Sequence, residues 1–178
     1  MKPLALSMAN SQPPMLPQDI VDTILDSLSP DEAPFVKHLS ENLTLDWLDD
    51  DDDRLGVTRF DGDHNEMFRK RRLKLPPGKI EILLNPILLE DEILYRHTVA
   101  HELLHAAGLL EHDQEHEALV DSIAPSPSIE ESPLLQKLRD KVLGEMSRKE
   151  WICQNCGFTY ARTTVRKPLR CPKCARKL

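Results

Sequence analysis

The chain has 178 residues, 40% of them apolar and 30% charged, with a formal net charge of −7, the composition of a water-soluble globular protein. The apolar stretch nearest a membrane signal, residues 82–89, contains Asn85 and Pro86 and falls far short of the roughly 20 apolar residues a spanning helix needs, so no segment is expected to cross a bilayer as a helix. The length accommodates one core of roughly 100–150 residues and a small appendage, and an appendage below about 40 residues needs a metal or disulfides to fold.

Residues 1–17 contain Pro3, Pro13, Pro14 and Pro17 among small polar residues and are expected to be a disordered tail. Their apolar run is shorter than the roughly 7–15 residues of a signal-peptide core, so the expected location is intracellular, in cytoplasm or nucleus, and not secreted. Residues 19–28 have apolar side chains at Ile20, Val21, Ile24, Leu25 and Leu28, the spacing of a helix ended by Ser29-Pro30. A second helix is expected over 31–43. Five consecutive aspartates at 49–53 read as an exposed loop, and the basic cluster 69–74 could face a phosphate backbone or pair with that run. Residues 79–84 read as a partly buried strand closed by Asn85-Pro86. A long helix with a wide apolar face is expected from 90 to 110, with Gly108 weakening its last turn, and a short helix over 115–123. Residues 124–128, Ala-Pro-Ser-Pro-Ser, are a linker signal, and Ser132-Pro133 suits the N-cap and first turn of another helix.

The long helix contains His101-Glu102-Leu103-Leu104-His105, an HExxH motif. Histidines four apart share a helix face and can reach one ion, while Glu102, about a hundred degrees round, can reach a water on it. Two histidines and a glutamate buried without partners would be strongly destabilising, and a shared metal removes the difficulty. His101 and His105 are therefore read as ligands of a catalytic zinc, with Glu102 as the base. Such a zinc takes a third protein ligand, for which Glu111, His112, Glu115 and His116 are candidates. His116 or Tyr95 could instead stabilise an oxyanion, and His97 is read as structural.

All four cysteines, Cys153, Cys156, Cys171 and Cys174, lie in residues 147–178 and read C-x2-C-x14-C-x2-C. Two CxxC turns can direct four thiolates at one tetrahedral ion, so this segment is expected to be a zinc ribbon whose closed site is structural. Disulfides fit poorly with a chain lacking an export signal. The same segment carries nine basic residues and one acid, a net +8, which leaves −15 on residues 1–146. Arg162, Arg166, Lys167, Arg170, Lys173, Arg176 and Lys177, interleaved with aromatic residues, point to contact with nucleic acid.

Residues 82–89 (Ile-Leu-Leu-Asn-Pro-Ile-Leu-Leu), then 98–106 around the HExxH motif, then 112–120 beginning His112-Asp113, together resemble the SprT-like zinc metallopeptidases. In that family a strand precedes the HExxH helix and a later histidine is the third ligand, which implies His112. The resemblance covers about residues 80–178, and many members also carry a C-terminal ribbon. His112-Asp113 stands where the usual pattern has His-Gly, and His116 replaces an aromatic residue; the His-Asp pair is shared with the related WLM peptidases. The resemblance implies an α+β, zincin-like core over 18–146 and a ribbon over 147–178, holding one catalytic and one structural zinc. It also implies a protein substrate and, by similarity to Spartan-related members, action on DNA-associated proteins, including DNA–protein crosslinks, with single-stranded or crosslinked DNA as partner. The rival readings are a regulatory peptidase cleaving a repressor or toxin partner, with the ribbon binding protein, and a non-catalytic nucleic-acid-binding protein.

Overall fold

The computed structural model describes residues 12–49, 52–145, 150–162 and 166–178. It is a mixed α+β chain that divides into two compact units, residues 1–127 and 128–178. The division falls in the expected 124–128 linker. It groups the helix that follows with the ribbon, where the charge-based boundary at 146/147 groups it with the expected core; Met146 to Lys149 lie outside the described residues.

In the first unit, helix α1 (Gln18–Ser27) buries Ile20, Val21 and Ile24, the face its apolar spacing marks. The helix expected over 31–43 does not form. Pro34 offers no N–H and disfavours helical geometry at Ala33, so the chain makes turns closed on Ser29, a single 3-10 turn at Val36–His38 and one turn of helix, α2 (Leu39–Asn42). It then enters strand β1 (Leu43–Trp47).

Two further elements carry no strong apolar period: strand β2 (Gly56–Phe60) and helix α3 (His64–Leu73). Helix α3 holds most of the basic cluster, buries only Met67, and is capped by Asp63, whose side chain accepts from the Glu66 N–H. Strand β3 (Ile80–Leu84) is the middle of a three-stranded sheet, parallel to β1 and antiparallel to β2, with Ile80, Ile82 and Leu84 fully buried. Asn85 closes it as expected. Its side chain accepts from the Ile87 N–H and donates to the carbonyls of Asp52 and Arg54, tying the end of the aspartate loop to the sheet; Asp50 and Asp51 lie outside the described residues.

Helix α4 (Glu92–Ala106), capped by the Asp91 side chain, packs against β2 and β3. It stops before 110 because Gly108 takes φ +107, against Pro34 and Phe35, where a Cβ would be crowded. Helix α5 (Gln114–Ile123) starts at Asp113, whose carboxylate accepts from the His116 N–H. Not all of residues 1–17 is the expected loose tail. The segment 12–17 is held to the body, because the Trp47 indole N–H donates to the Gln12 carbonyl and the Tyr95 hydroxyl to the Met15 carbonyl, both at 2.7 Å, and Pro14 is buried. Residues 1–11 lie outside the described residues.

The second unit consists of helix α6 (Pro133–Glu145), entered through Ser132 as N-cap, and a two-stranded antiparallel ribbon of β4 (Glu150–Ile152) and β5 (Thr159–Ala161). Among the described residues no helix is long and apolar enough to cross a membrane.

Candidate functional site

Helix α4, the connection that follows it and the first turn of α5 bring four imidazoles together. The Nε2 atoms of His101, His105 and His112 lie 3.1, 2.9 and 3.2 Å apart pairwise, close to the roughly 3.3 Å edge expected of nitrogens around a tetrahedral zinc. His105 is oriented by its Nδ1–H, which donates to the Leu109 carbonyl at 2.6 Å and leaves Nε2 with a free lone pair. Burial, reinforced by the neighbouring imidazoles, holds His101 down at about 3, and burial lowers His105 as well, so both rings are neutral, the form that binds metal.

His116, one turn after His112, also brings a ring nitrogen within 4.8 Å of donor atoms on His101 and His105, and these three could hold a metal ion. Its ring is 2% exposed, neither nitrogen makes a hydrogen bond, and burial lowers it to about 4. Its orientation sets it apart from His112. The ring stacks on His105 at 4.5 Å and 17°, and an ion in the plane of one of two stacked rings cannot lie in the plane of the other. His116 therefore sits behind the triangle, whereas His112 closes it. Glu111 is turned towards Arg71, 3.7 Å away, and Glu115 is exposed.

Glu102 is buried, 6% exposed, and accepts from the Thr58 hydroxyl at 2.8 Å; the same hydroxyl lies 2.9 Å from the Glu102 carbonyl. Burial raises its carboxyl above the usual range, and the Thr58 bond and the charge on Arg54 pull it back. The site opens on a cavity of about 600 Å³ walled by all five residues of β2, by His64 and Met67 of α3, and by His101, Glu102, His105 and His112. No family model, curated protein or solved structure matches this chain. The assignment of the site therefore rests on its own geometry. His116 and Tyr95, considered for an oxyanion role, do not line the cavity, and His97 does the structural work expected of it through a 2.8 Å bond to the Ala124 carbonyl. Thr58 and His64 are site residues that no sequence pattern marks.

In the second unit the four cysteines converge, with Sγ atoms 3.7 Å apart for Cys153 and Cys174 and 3.8 Å for Cys156 and Cys171. They could hold a metal ion. The backbone N–H of Arg176 holds the Cys174 thiol down at about 6, and the Lys173 N–H donates to the Cys171 sulfur, both of which favour thiolate. Arg166, Lys167, Arg170, Lys173, Arg176 and Lys177 are exposed. Arg162 lies over the Trp151 ring and Lys173 over Phe158, while Arg170 and Arg176 also bond within the ribbon, to the Ala175 carbonyl and the Asn155 side chain.

Proposed function

We propose that this chain is a zinc-dependent endopeptidase of SprT-like type, with a zincin-like core, that acts on proteins associated with DNA. The observation that carries the reading is the triangle of His101, His105 and His112 beside the buried carboxyl of Glu102, opening on a cleft. The all-nitrogen donors of the first unit and the four thiolates of the second suit zinc in both, the first with a position left for water and the second closed.

A bound zinc would supply Lewis acidity and an activated water. Glu102 takes the proton of the attacking water and delivers it to the departing amine, which a carboxyl raised by burial does well near neutral pH. Thr58 fixes that carboxyl's rotamer. Among the described residues β2 is an edge strand, so its outer N–H and C=O groups can pair with an extended substrate chain along the cleft wall. Peptide hydrolysis uses such an edge; a metal site serving the fold alone would need neither the cleft nor a buried base. The DNA association is drawn from the ribbon, where cations lie over aromatic rings on a net charge of +8.

The test is cleavage of an unstructured protein such as casein by the full chain, with and without single-stranded DNA, after chelation and after zinc is restored. Cleavage that disappears with the chelator, returns with zinc and rises with DNA is expected. An intact substrate after incubation with the zinc-loaded chain contradicts the reading.

A further inference from the structure

The cations of α3 are not all accounted for by the fold. Residues 69–74 place Arg69, Lys70, Arg71, Arg72 and Lys74 on the last turns of this helix and its C-cap, within a segment of net charge −15. Cations near a helix C-terminus are mildly favourable. Three of the five have partners. Lys70 pairs with Glu66 and donates to the Pro77 carbonyl, Arg71 reaches Glu111, and Lys74 pairs with Asp31. Arg69 and Arg72, three apart and so neighbours on the helix surface, have no ion-pair or hydrogen-bond partner among the described residues.

Both arginines line a cavity of about 550 Å³ together with Phe68. The two acids at its border are already engaged, Asp31 by Lys74 and Glu32 by the N–H and hydroxyl of Ser29. The cavity thus presents two planar, five-donor cations without an ion-pair partner beside a half-buried aromatic ring held edge-on to His64 at 4.6 Å. We propose that this face of α3 is a docking surface for single-stranded nucleic acid, with Arg69 and Arg72 on successive phosphates and a base against Phe68. An acidic peptide would satisfy the cations and leave the ring idle; a single strand uses both.

The surface belongs to the unit with the histidine cluster. His64 and Met67, on the same ten-residue helix, line the cleft, so the backbone that carries Arg69 and Arg72 lies within about 15 Å of its wall along the helix axis. This goes beyond the ribbon contact, and it depends neither on that contact nor on peptidase chemistry.

Binding of a labelled oligo-dT strand to the full chain, followed by fluorescence anisotropy across a salt series, tests it without any activity readout. The Arg69→Glu/Arg72→Glu protein should bind about tenfold more weakly near physiological salt, with a salt slope shallower by about 0.7 for each phosphate that the variant no longer neutralises. Arg69→Gln/Arg72→Gln, which adds no repulsion, should move both in the same direction, and Arg69→Lys/Arg72→Lys should keep most of the affinity. Circular dichroism melts establish that each variant is folded. A matched Lys167→Glu/Lys177→Glu protein reports the ribbon separately. Unchanged affinity and slope in both the Glu and the Gln variant of α3, whatever the ribbon variant does, overturns the proposal. So does polyglutamate of equal charge displacing the strand as effectively as unlabelled oligo-dT, which would make the surface one for acidic peptides.

Discussion

A methyl group on Gly56 would stand 2.9 Å from both Cγ and Oε1 of Glu102 and 2.9 Å from Cγ2 of Thr98. Strand β2 therefore presses on the turn of α4 that carries the carboxyl as closely as a glycine backbone allows, and two residues on, Thr58 uses that approach to donate to Glu102. Because the obstructing atoms include the carboxyl itself, Gly56→Ala must displace Glu102 or lift the strand, at about 1–3 kcal/mol. Zinc content measured by metal analysis should be kept while casein cleavage falls at least tenfold. Turnover equal to the parent protein would show that Glu102 has room to spare.

Thr58 acts through Glu102, and its role is readable in a pH profile. The bond from Thr58 favours the ionised carboxyl and so lowers its pKa against the effect of burial. Removing the donor in Thr58→Val should shift the acid limb of the cleavage rate to higher pH, and Thr58→Ser should restore it. A limb that stays in place in Thr58→Val would mean the hydroxyl serves only the Glu102 carbonyl.

The histidine cluster also sets how the metal-free protein responds to acid. His101, His105 and His116 have folded-state pKa values depressed by burial, to about 3 for His101 and about 4 for His116, against an ordinary value of 6.5. The unfolded chain then takes up protons that the folded one refuses, so the stability these groups contribute is complete above pH 6.5 and drains away as pH falls towards 4. Glu102, raised by burial, has the opposite sign, but it is one carboxyl against three imidazoles. In a chelated Trp151→Phe protein, where Trp47 is the remaining tryptophan, the urea midpoint should drop steadily between pH 7 and 5. A flat midpoint over that range would contradict the buried, neutral cluster.

The two CxxC turns of the ribbon differ at one instructive position. The residue after the second cysteine of each pair is left-handed, Gly157 at φ +69 and Ala175 at φ +56, with its N–H bonded to the carbonyl of the first cysteine. An L-residue is disfavoured there by about 1 kcal/mol, whereas glycine is at ease. Ala175→Gly should therefore raise the chelator concentration needed to unfold the ribbon, and Gly157→Ala should lower it. The reverse order would place the strain elsewhere.

Much of this site is legible in residues that act locally. The α4 period, the HExxH spacing and the CxxC turns depend on neighbours a few positions away, and each appears where the pattern puts it. Thr58 meets Glu102 across 44 residues, and nothing in Gly-Val-Thr-Arg-Phe announces the encounter. Strand β1 alternates Leu43, Leu45 and Trp47 with Thr44 and Asp46, a pattern masked by the helical spacing just before it. Helix α3 buries one side chain and so has no apolar period, although Asp63 and Glu66 form a legible start signal. The prolines of residues 12–17 imply a loose tail, but the donors of Trp47 and Tyr95 needed acceptors and found them there. Spacing could not separate His112 from His116, since His112 lies just before the Asp113 cap of α5 and His116 on its first turn, both facing the same pair; ring orientation favours His112.

Metal-assisted peptide hydrolysis by Glu102 is tested most directly by Glu102→Gln in the zinc-loaded full chain, which keeps the size of the side chain and removes its basicity. Metal analysis and a casein digest on the same preparation should find the zinc content of the parent protein and no cleavage. Cleavage at a rate near that of the parent would contradict a role for Glu102 as the base.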